Sequence, residues 1–182
     1  MKAFLQNRPA AFVLAVLIVL GSTIWNVNRA LEGYAEEAEE AWEDKYGPER
    51  QLKDRCSYAS QLWGLCQGHE ELGGECSALR DAYNDLYRYL DDEDLAQADL
   101  CNASLDALAD NARNALCALP SVSADDRDMA DKYVNYMDNA GRLLRDSEYN
   151  ALCRSYAERC DEPWLRFLRP VIFVDAPVPV GE

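Results

Sequence analysis

The chain opens with an uninterrupted apolar run, and this run constrains its fold more than any other feature. Residues 9–25 include no charged side chain, and Lys2 and Arg8 precede them. A helix of roughly 20 apolar residues spans a bilayer, with a tolerated range of about 17 to 25. The pattern therefore predicts a short basic flank over residues 1–8 and a transmembrane anchor over residues 9–25, with the lipid bilayer as its partner.

A cleaved secretory signal is the alternative interpretation, because the run lies at the N-terminus. Val19, Leu20 and Gly21 offer a small-residue cleavage site, but no Ala-x-Ala sequence follows. The run also passes into a helical pattern without a break, as in an uncleaved anchor. We favour the anchor. The alternative is a secreted or periplasmic-type soluble binding protein, released by cleavage near Gly21.

The orientation of the anchor is predicted from basic residues close to the span, because acidic residues have little influence on it. Lys2, Arg8 and the amino terminus lie on one side, whereas Arg29 and Lys45 are more thinly spread on the other. This bias predicts a single-pass protein of the cell membrane, with its N-terminus in the cytoplasm and its helical domain outside.

The formal net charge of −15 limits the partners of the remaining chain. An acidic surface repels phosphate groups, which excludes nucleic acid as a partner. It also repels anionic headgroups, so the helical domain is expected to stand off the membrane. Strong acidity can indicate disorder, but the ten tyrosines and four tryptophans favour a packed core.

Five segments carry apolar residues at alternating steps of three and four, the pattern of helices with one buried face. The first continues from the anchor and ends before Pro48, because proline removes a helix hydrogen bond. Glycines over residues 68–74 separate the second segment from the third, and these two could form one limb that is kinked at the glycines. Pro120 ends the fourth.

The fifth segment, the longest, begins at Ser123, which can cap a helix. Its stripe shifts between Leu144 and Tyr149, where we expect a bend or a change of packing partner. The predicted fold is all-α: an N-terminal single transmembrane helix that continues into an antiparallel four-helix bundle. The bundle covers residues 26–162, and its narrow stripes pack like those of a coiled coil.

The seven cysteines are interpreted mainly as core residues. Five of them fall on predicted core positions, where a cysteine behaves as a small hydrophobe, and one or two interhelical disulfides are the alternative. The five are Cys56, Cys66, Cys76, Cys101 and Cys160. No Cys-x-x-Cys sequence is present and His69 is the single histidine, so we expect no zinc site and no other cofactor.

The sequence offers no catalytic arrangement. His69 lies in a glycine-rich stretch and is interpreted as a solvated loop residue, with a pH switch as the alternative. The acidic run at residues 91–94 lacks the spacing of a calcium loop and is expected to open the next helix. No Ser-His-Asp set or phosphate loop is present. We expect a non-enzymatic protein; an enzyme or redox protein using its thiols is the competing hypothesis.

The C-terminal tail, residues 163–182, is apolar and contains prolines. It is the leading candidate for binding a protein partner of unknown identity, and folding back over the open end of the bundle is the alternative. The residues predicted to contact the partner are Trp164, Phe167, Leu168, Ile172 and Phe173.

With its helices placed, the chain resembles the LemA family of bacterial membrane proteins. Residues 149–156 read Tyr-Asn-Ala-Leu-Cys-Arg-Ser-Tyr, similar to the family's Tyr-Asn-x-x-Val-Arg-x-Tyr-Asn, although Ala157 replaces the second Asn. Residues 102–121 resemble its Ala- and Leu-rich helix, and residues 62–70 the end of its second helix. The family's Phe-Gly-Phe sequence is absent. The resemblance implies a membrane-anchored helical bundle and supplies no catalytic residue.

These observations predict a membrane-anchored acidic helical bundle. We expect it to act as an interaction or scaffold module at the bacterial cell surface.

Overall fold

The computed structural model describes residues 8–181, and its architecture is all-α, as predicted. None of these residues lies in a strand. Of the predicted basic flank, residues 1–7 lie outside the described range. The helices are α1 (Arg8–Glu43), α2 (Pro48–Cys66), α3 (Gly73–Asp91), α4 (Leu95–Ala118), α5 (Ala124–Arg145) and α6 (Glu148–Cys160), with 3-10 helices at Glu70–Leu72 and Arg169–Val171.

The described chain divides into two compact units. The first comprises residues 8–38 and 152–177, and the second comprises residues 39–151 and 178–181. Each unit has an apolar core of its own. The predicted domain boundaries at residues 26 and 163 stay predictions.

In the first unit, the N-terminal part of α1 is apolar on its exposed faces. An 18-residue window of this helix has a mean hydropathy of 2.2, and 6% of the window is buried. A core helix of a soluble protein would be mostly buried. A helix of this length and composition is consistent with a membrane anchor or with a signal sequence. Its most exposed apolar side chains include Phe12, Leu17, Ile18, Val19 and Trp25.

The core of the first unit begins where the apolar run ends. Val27 and Leu31, one helical turn apart on α1, are buried with Tyr156 of α6 and Leu165 of the tail. Side chains four residues apart lie on the same helix face, so α1 is covered on one face from Val27 onward.

The core of the second unit is a bundle of four helices. α2 and α4 each pack against α3 and α5, and the short connections make consecutive helices antiparallel. The second and third apolar stripes therefore form two helices of the bundle rather than one kinked limb. The turn between Cys66 and Gly73 reverses the chain, and the Trp63 ring of α2 meets the Tyr83 ring of α3 with centroids 6.3 Å apart.

Side-chain caps account for two of the helix starts in the second unit. The Ser123 hydroxyl accepts a hydrogen bond from the Asp126 N–H at 3.0 Å, which confirms the predicted cap of α5. Asp94 caps α4 by accepting from the Gln97 N–H at 3.2 Å. The fifth segment was predicted as one long helix that bends between Leu144 and Tyr149. The structure instead divides it into two helices, because α5 ends at Arg145 and α6 begins at Glu148.

Arg55 is a buried cation at the centre of the bundle, with only 2% of its surface exposed. Its Nη1 donates to the Met137 carbonyl at 3.0 Å. Its Nη2 donates to the Asn102 carbonyl at 3.4 Å and to the Asp106 carboxylate at 2.7 Å. These bonds join α2 to α4 and α5, and they offset the cost of removing a guanidinium from water.

Gly141 on α5 makes room for this guanidinium, since a Cβ there would overlap Arg55 Nη1. We expect Gly141→Ala to lower the free energy of unfolding by about 1–3 kcal/mol, because the methyl group must displace a packed side chain. Chemical denaturation of the full chain in detergent, followed by circular dichroism, measures the change.

Gly64→Ala on α2 is the matched control, because a Cβ at Gly64 meets nothing within 4 Å. In a helix this change is expected to raise the free energy of unfolding by about 0.4–1 kcal/mol. Equal effects of the two substitutions would contradict the close packing at Arg55.

Candidate functional site

The C-terminal tail of the first unit is bound to α1 by the side-chain amide of Asn28. Nδ2 donates to the Val171 carbonyl at 3.1 Å, and Oδ1 accepts from the Phe173 N–H at 2.9 Å. The Val171 carbonyl ends the 3-10 helix Arg169–Val171 and the Phe173 N–H follows that helix. The amide therefore satisfies backbone groups at the end of a short helix. Asn28 therefore fixes the tail at one level along α1.

Consecutive tight turns bring the tail back to this level. Leu165 N–H donates to the Glu162 carbonyl at 2.9 Å, Leu168 N–H to that of Leu165 at 2.9 Å, and Val171 N–H to that of Leu168 at 2.8 Å. Side chains three residues apart are eclipsed in such turns. Leu165 is consequently buried in the apolar cluster, and Leu168 is half-buried against it.

The five residues predicted for partner binding lie on two faces of the tail. Leu168 and Ile172 pack against the apolar cluster. Trp164, Phe167 and Phe173 point outward, with 46%, 86% and 81% of their surfaces exposed. Three large aromatic side chains are therefore available to a partner, and the role of all five residues in binding stays a prediction.

The charge of the tail differs from that of the rest of the chain. Residues 163–174 contain Arg166 and Arg169 and no acidic residue, although the whole chain has a net charge of −15. Both arginines are exposed. The preceding carboxylate, Glu162, accepts a hydrogen bond from Trp164 Nε1 at 2.5 Å. The outward face of the tail thus combines aromatic rings with two guanidinium groups, and that of Arg166 lies 4.0 Å from the Asp161 carboxylate.

Tyr156 on α6 provides a second attachment for the tail. Its hydroxyl donates to the Val174 carbonyl at 3.2 Å. Burial raises the pKa of the Tyr156 hydroxyl, and the neighbouring Cys160 raises it further. The hydroxyl therefore remains protonated and continues to donate at neutral pH.

Within the second unit, the last described residues are bound in a similar way. The Asn150 amide donates to the Val180 carbonyl at 2.8 Å and accepts from the Val180 N–H at 3.0 Å. Tyr149 Oη donates to the Val178 carbonyl at 2.7 Å, and Gly181 N–H donates to the Asp99 carboxylate at 2.6 Å. The Val180 side chain is completely buried.

Sequence reasoning missed Asn28 and Asn150 as binding residues. Asparagine on a helix is usually exposed, and the backbone that each one binds lies far away in the sequence. A weak signal existed for Asn28, which lies beside Val27 at the edge of the first stripe.

Cys56, Cys101, Cys117 and Cys160 form no disulfide. Cys56, Cys66 and Cys76 are buried, which confirms their predicted core positions. Cys101 and Cys160 are half-buried rather than fully enclosed. Burial raises the pKa of the Cys56 thiol to about 12, so Cys56 holds little of the reactive thiolate.

No metal centre is apparent within the described part of the chain, where no group of three or more His, Cys, Asp or Glu is arranged to hold an ion. His69 is half-buried at the start of the 3-10 helix Glu70–Leu72. The acidic run at 91–94 was predicted to open α4, but only Asp94 caps that helix. Asp91 is the last residue of α3.

Comparison with known proteins identifies no family for this chain. No protein-family model, no curated protein and no solved structure matches the chain. The LemA resemblance therefore stays a prediction.

Removing the Asn28 amide should loosen the tail. We expect Asn28→Ala to raise the hydrogen-exchange rate of the Phe173 N–H by about 10-fold in the detergent-solubilised full chain, because that N–H loses its acceptor. Asn28→Asp should have a smaller effect, since it retains one acceptor oxygen. Asn26→Ala, an exposed change on the same helix, is the control. An unchanged exchange rate in Asn28→Ala would contradict the attachment.

Alkylation tests the accessibility of the thiols. A rise in pKa from 9.0 to about 12 lowers the thiolate fraction of Cys56 by about 1,000-fold, and the thiolate is the reactive form. Iodoacetamide should therefore leave Cys56 unmodified in the folded chain while it labels the half-buried Cys117, as read by mass spectrometry. Denaturation should expose both residues. Rapid labelling of folded Cys56 would contradict its burial and favour the competing redox hypothesis.

Proposed function

We propose that the protein is a single-pass membrane protein whose acidic helical domain acts as a non-enzymatic interaction or scaffold module at the bacterial cell surface. One observation carries the proposal. The N-terminal part of α1 exposes apolar side chains on its faces, whereas the same helix is covered by protein from Val27 onward. A hydrocarbon environment around the exposed part removes this apolar surface from water.

The continuity of α1 supports retention of the anchor. The helix runs from Arg8 to Glu43 without a break. Cleavage after Gly21 would make Ser22 the first residue and leave the first four N–H groups of the shortened helix without helical partners. Val27 and Asn28, which hold the core and the tail, would then lie close to a frayed end.

The surface chemistry supports an interaction role. Helices α2 to α5 form a bundle held by a buried arginine network, and the tail of the first unit exposes Trp164, Phe167 and Phe173. Exposed aromatic residues are typical of binding surfaces. The LemA resemblance supports the same assignment, since that family is membrane-anchored and helical.

Mass spectrometry of the mature chain tests the anchor directly. We expect an N-terminus at or next to Met1 and recovery of the protein in the alkali-washed membrane fraction. A mature chain that begins near Ser22 and is recovered in the aqueous fraction would instead establish the alternative, a released soluble binding protein.

Protease added to intact cells should digest the helical domain. Its survival there, with digestion only after lysis, would reverse the proposed orientation.

A paired substitution provides the matched control. Leu17→Arg with Ile18→Arg should move the protein out of the membrane fraction, because each arginine at the centre of a span costs about 2.5–3.5 kcal/mol. Leu143→Arg, at an exposed leucine of α5, should leave the distribution unchanged. Equal membrane recovery of both variants would show that the apolar run does not hold the protein there.

A further inference from the structure

The tail of the first unit is fixed close to the end of the apolar run. The run ends at Trp25, and Asn28 binds Val171 and Phe173 by hydrogen bonds of 3.1 and 2.9 Å. Three residues of α-helix rise by about 4.5 Å. The tail backbone at Phe173 therefore lies within about one helical turn of the point where α1 would leave the hydrocarbon.

The outward face of the tail has the composition of a membrane interface. Phe167 and Phe173 are the most exposed of the tail's large side chains, and Trp164 is nearly half-exposed. Trp25, at the end of the run, is itself 69% exposed. Tryptophan is enriched at the headgroup level of membranes, because its ring is apolar and its N–H is polar.

The charge of this face identifies the chemistry of its partner. Residues 163–174 carry Arg166 and Arg169 and no acidic residue, within a chain of net charge −15. The exposed Asp161 carboxylate lies 4.0 Å from the Arg166 guanidinium, which remains open to solvent. Anionic headgroups attract basic residues within about 10 Å. A basic aromatic segment at this depth therefore complements the headgroup layer of an anionic bilayer.

We infer that the tail face formed by Trp164, Arg166, Phe167, Arg169 and Phe173 lies in the headgroup region of an anionic bilayer beside the exit of α1. The inference rests on the proposed membrane anchor. It assigns lipid, rather than a second protein, to the surface that the sequence predicted as a partner-binding tail. The aromatic rings enter the boundary of the acyl chains while the guanidinium groups bind lipid phosphates. Because the tail then contacts the membrane as well as the anchor, the first unit is restricted in its rotation about the long axis of α1.

Photocrosslinking of the full chain in vesicles tests the contact. Benzoylphenylalanine replaces one residue at a time: Phe167 or Phe173 in the tail, Leu17 in the apolar run, or Tyr136 on α5. The vesicles contain phosphatidylethanolamine and radiolabelled phosphatidylglycerol. Tyr136 is the matched control, because it is an aromatic side chain of the second unit with 49% of its surface exposed.

We expect lipid adducts at positions 17, 167 and 173 and none above background at position 136. Lipid adducts at 17 without any at 167 or 173 would overturn the inference and leave the anchor in place. No lipid adduct at 17 would overturn the anchor, and the inference with it. Crosslinks from 167 or 173 to protein, or equal lipid labelling at 136, would also overturn the inference.

Neutralising the two arginines tests the role of charge. Arg166→Gln with Arg169→Gln should reduce the ratio of docked to free tail by about 30-fold, since one basic residue near an anionic surface contributes about fivefold. The lipid-adduct yield at 167 should fall accordingly, while the yield at 17 stays constant. Arg142→Gln on α5 is the control. Unchanged adducts at 167 in the double variant would refute binding of headgroup charge.

Discussion

The surroundings of α1 change within two residues, and the organisation of the first unit depends on this change. Up to Trp25 the helix is apolar on its exposed faces. From Val27 onward it is apolar on one face, which carries both Val27 and Leu31. A helix that is hydrophobic on all sides requires an apolar environment on all sides, whereas a one-sided stripe requires a single packed partner. The tail and α6 supply that partner for the later part, and lipid is proposed for the earlier part.

Side-chain amides hold the irregular segments in both units. Asn28 in the first unit and Asn150 in the second each donate to one backbone carbonyl of the C-terminal stretch and accept from one of its backbone N–H groups. An extended segment against a helix cannot join a hydrogen-bonded ladder, so its backbone groups need partners from side chains. An asparagine amide has a donor and an acceptor side by side and can satisfy both. These amides hold the two parts of the C-terminal stretch, in which the 3-10 helix Arg169–Val171 is the regular element.

The local patterns predicted the helices well, because periodicity, caps and prolines act over a few residues. The Ser123 cap and the end of α4 before Pro120 illustrate this. Which helices form the bundle depends on contacts between distant residues, so the kinked limb was not borne out. The burial of Arg55 could be predicted in part from its position, since it lies between Leu52 and Ala59 on the second apolar stripe. Its charge concealed this, because the compensating groups lie on α4 and α5.

The net charge of the whole chain does not describe the charge of the tail, for a reason that follows from screening. A charge of −15 describes all 182 residues, but charges in physiological salt act over roughly 8–10 Å. Beside Phe167 the chain supplies Arg166 and Arg169, with the Asp161 carboxylate 4.0 Å from the Arg166 guanidinium, so the local charge differs from the average of the chain. An acidic protein can therefore carry a segment that binds anionic lipid, provided that the segment excludes carboxylates over its own length. Residues 163–174 meet this condition, and the attachment at Asn28 places them where an anionic headgroup layer would be.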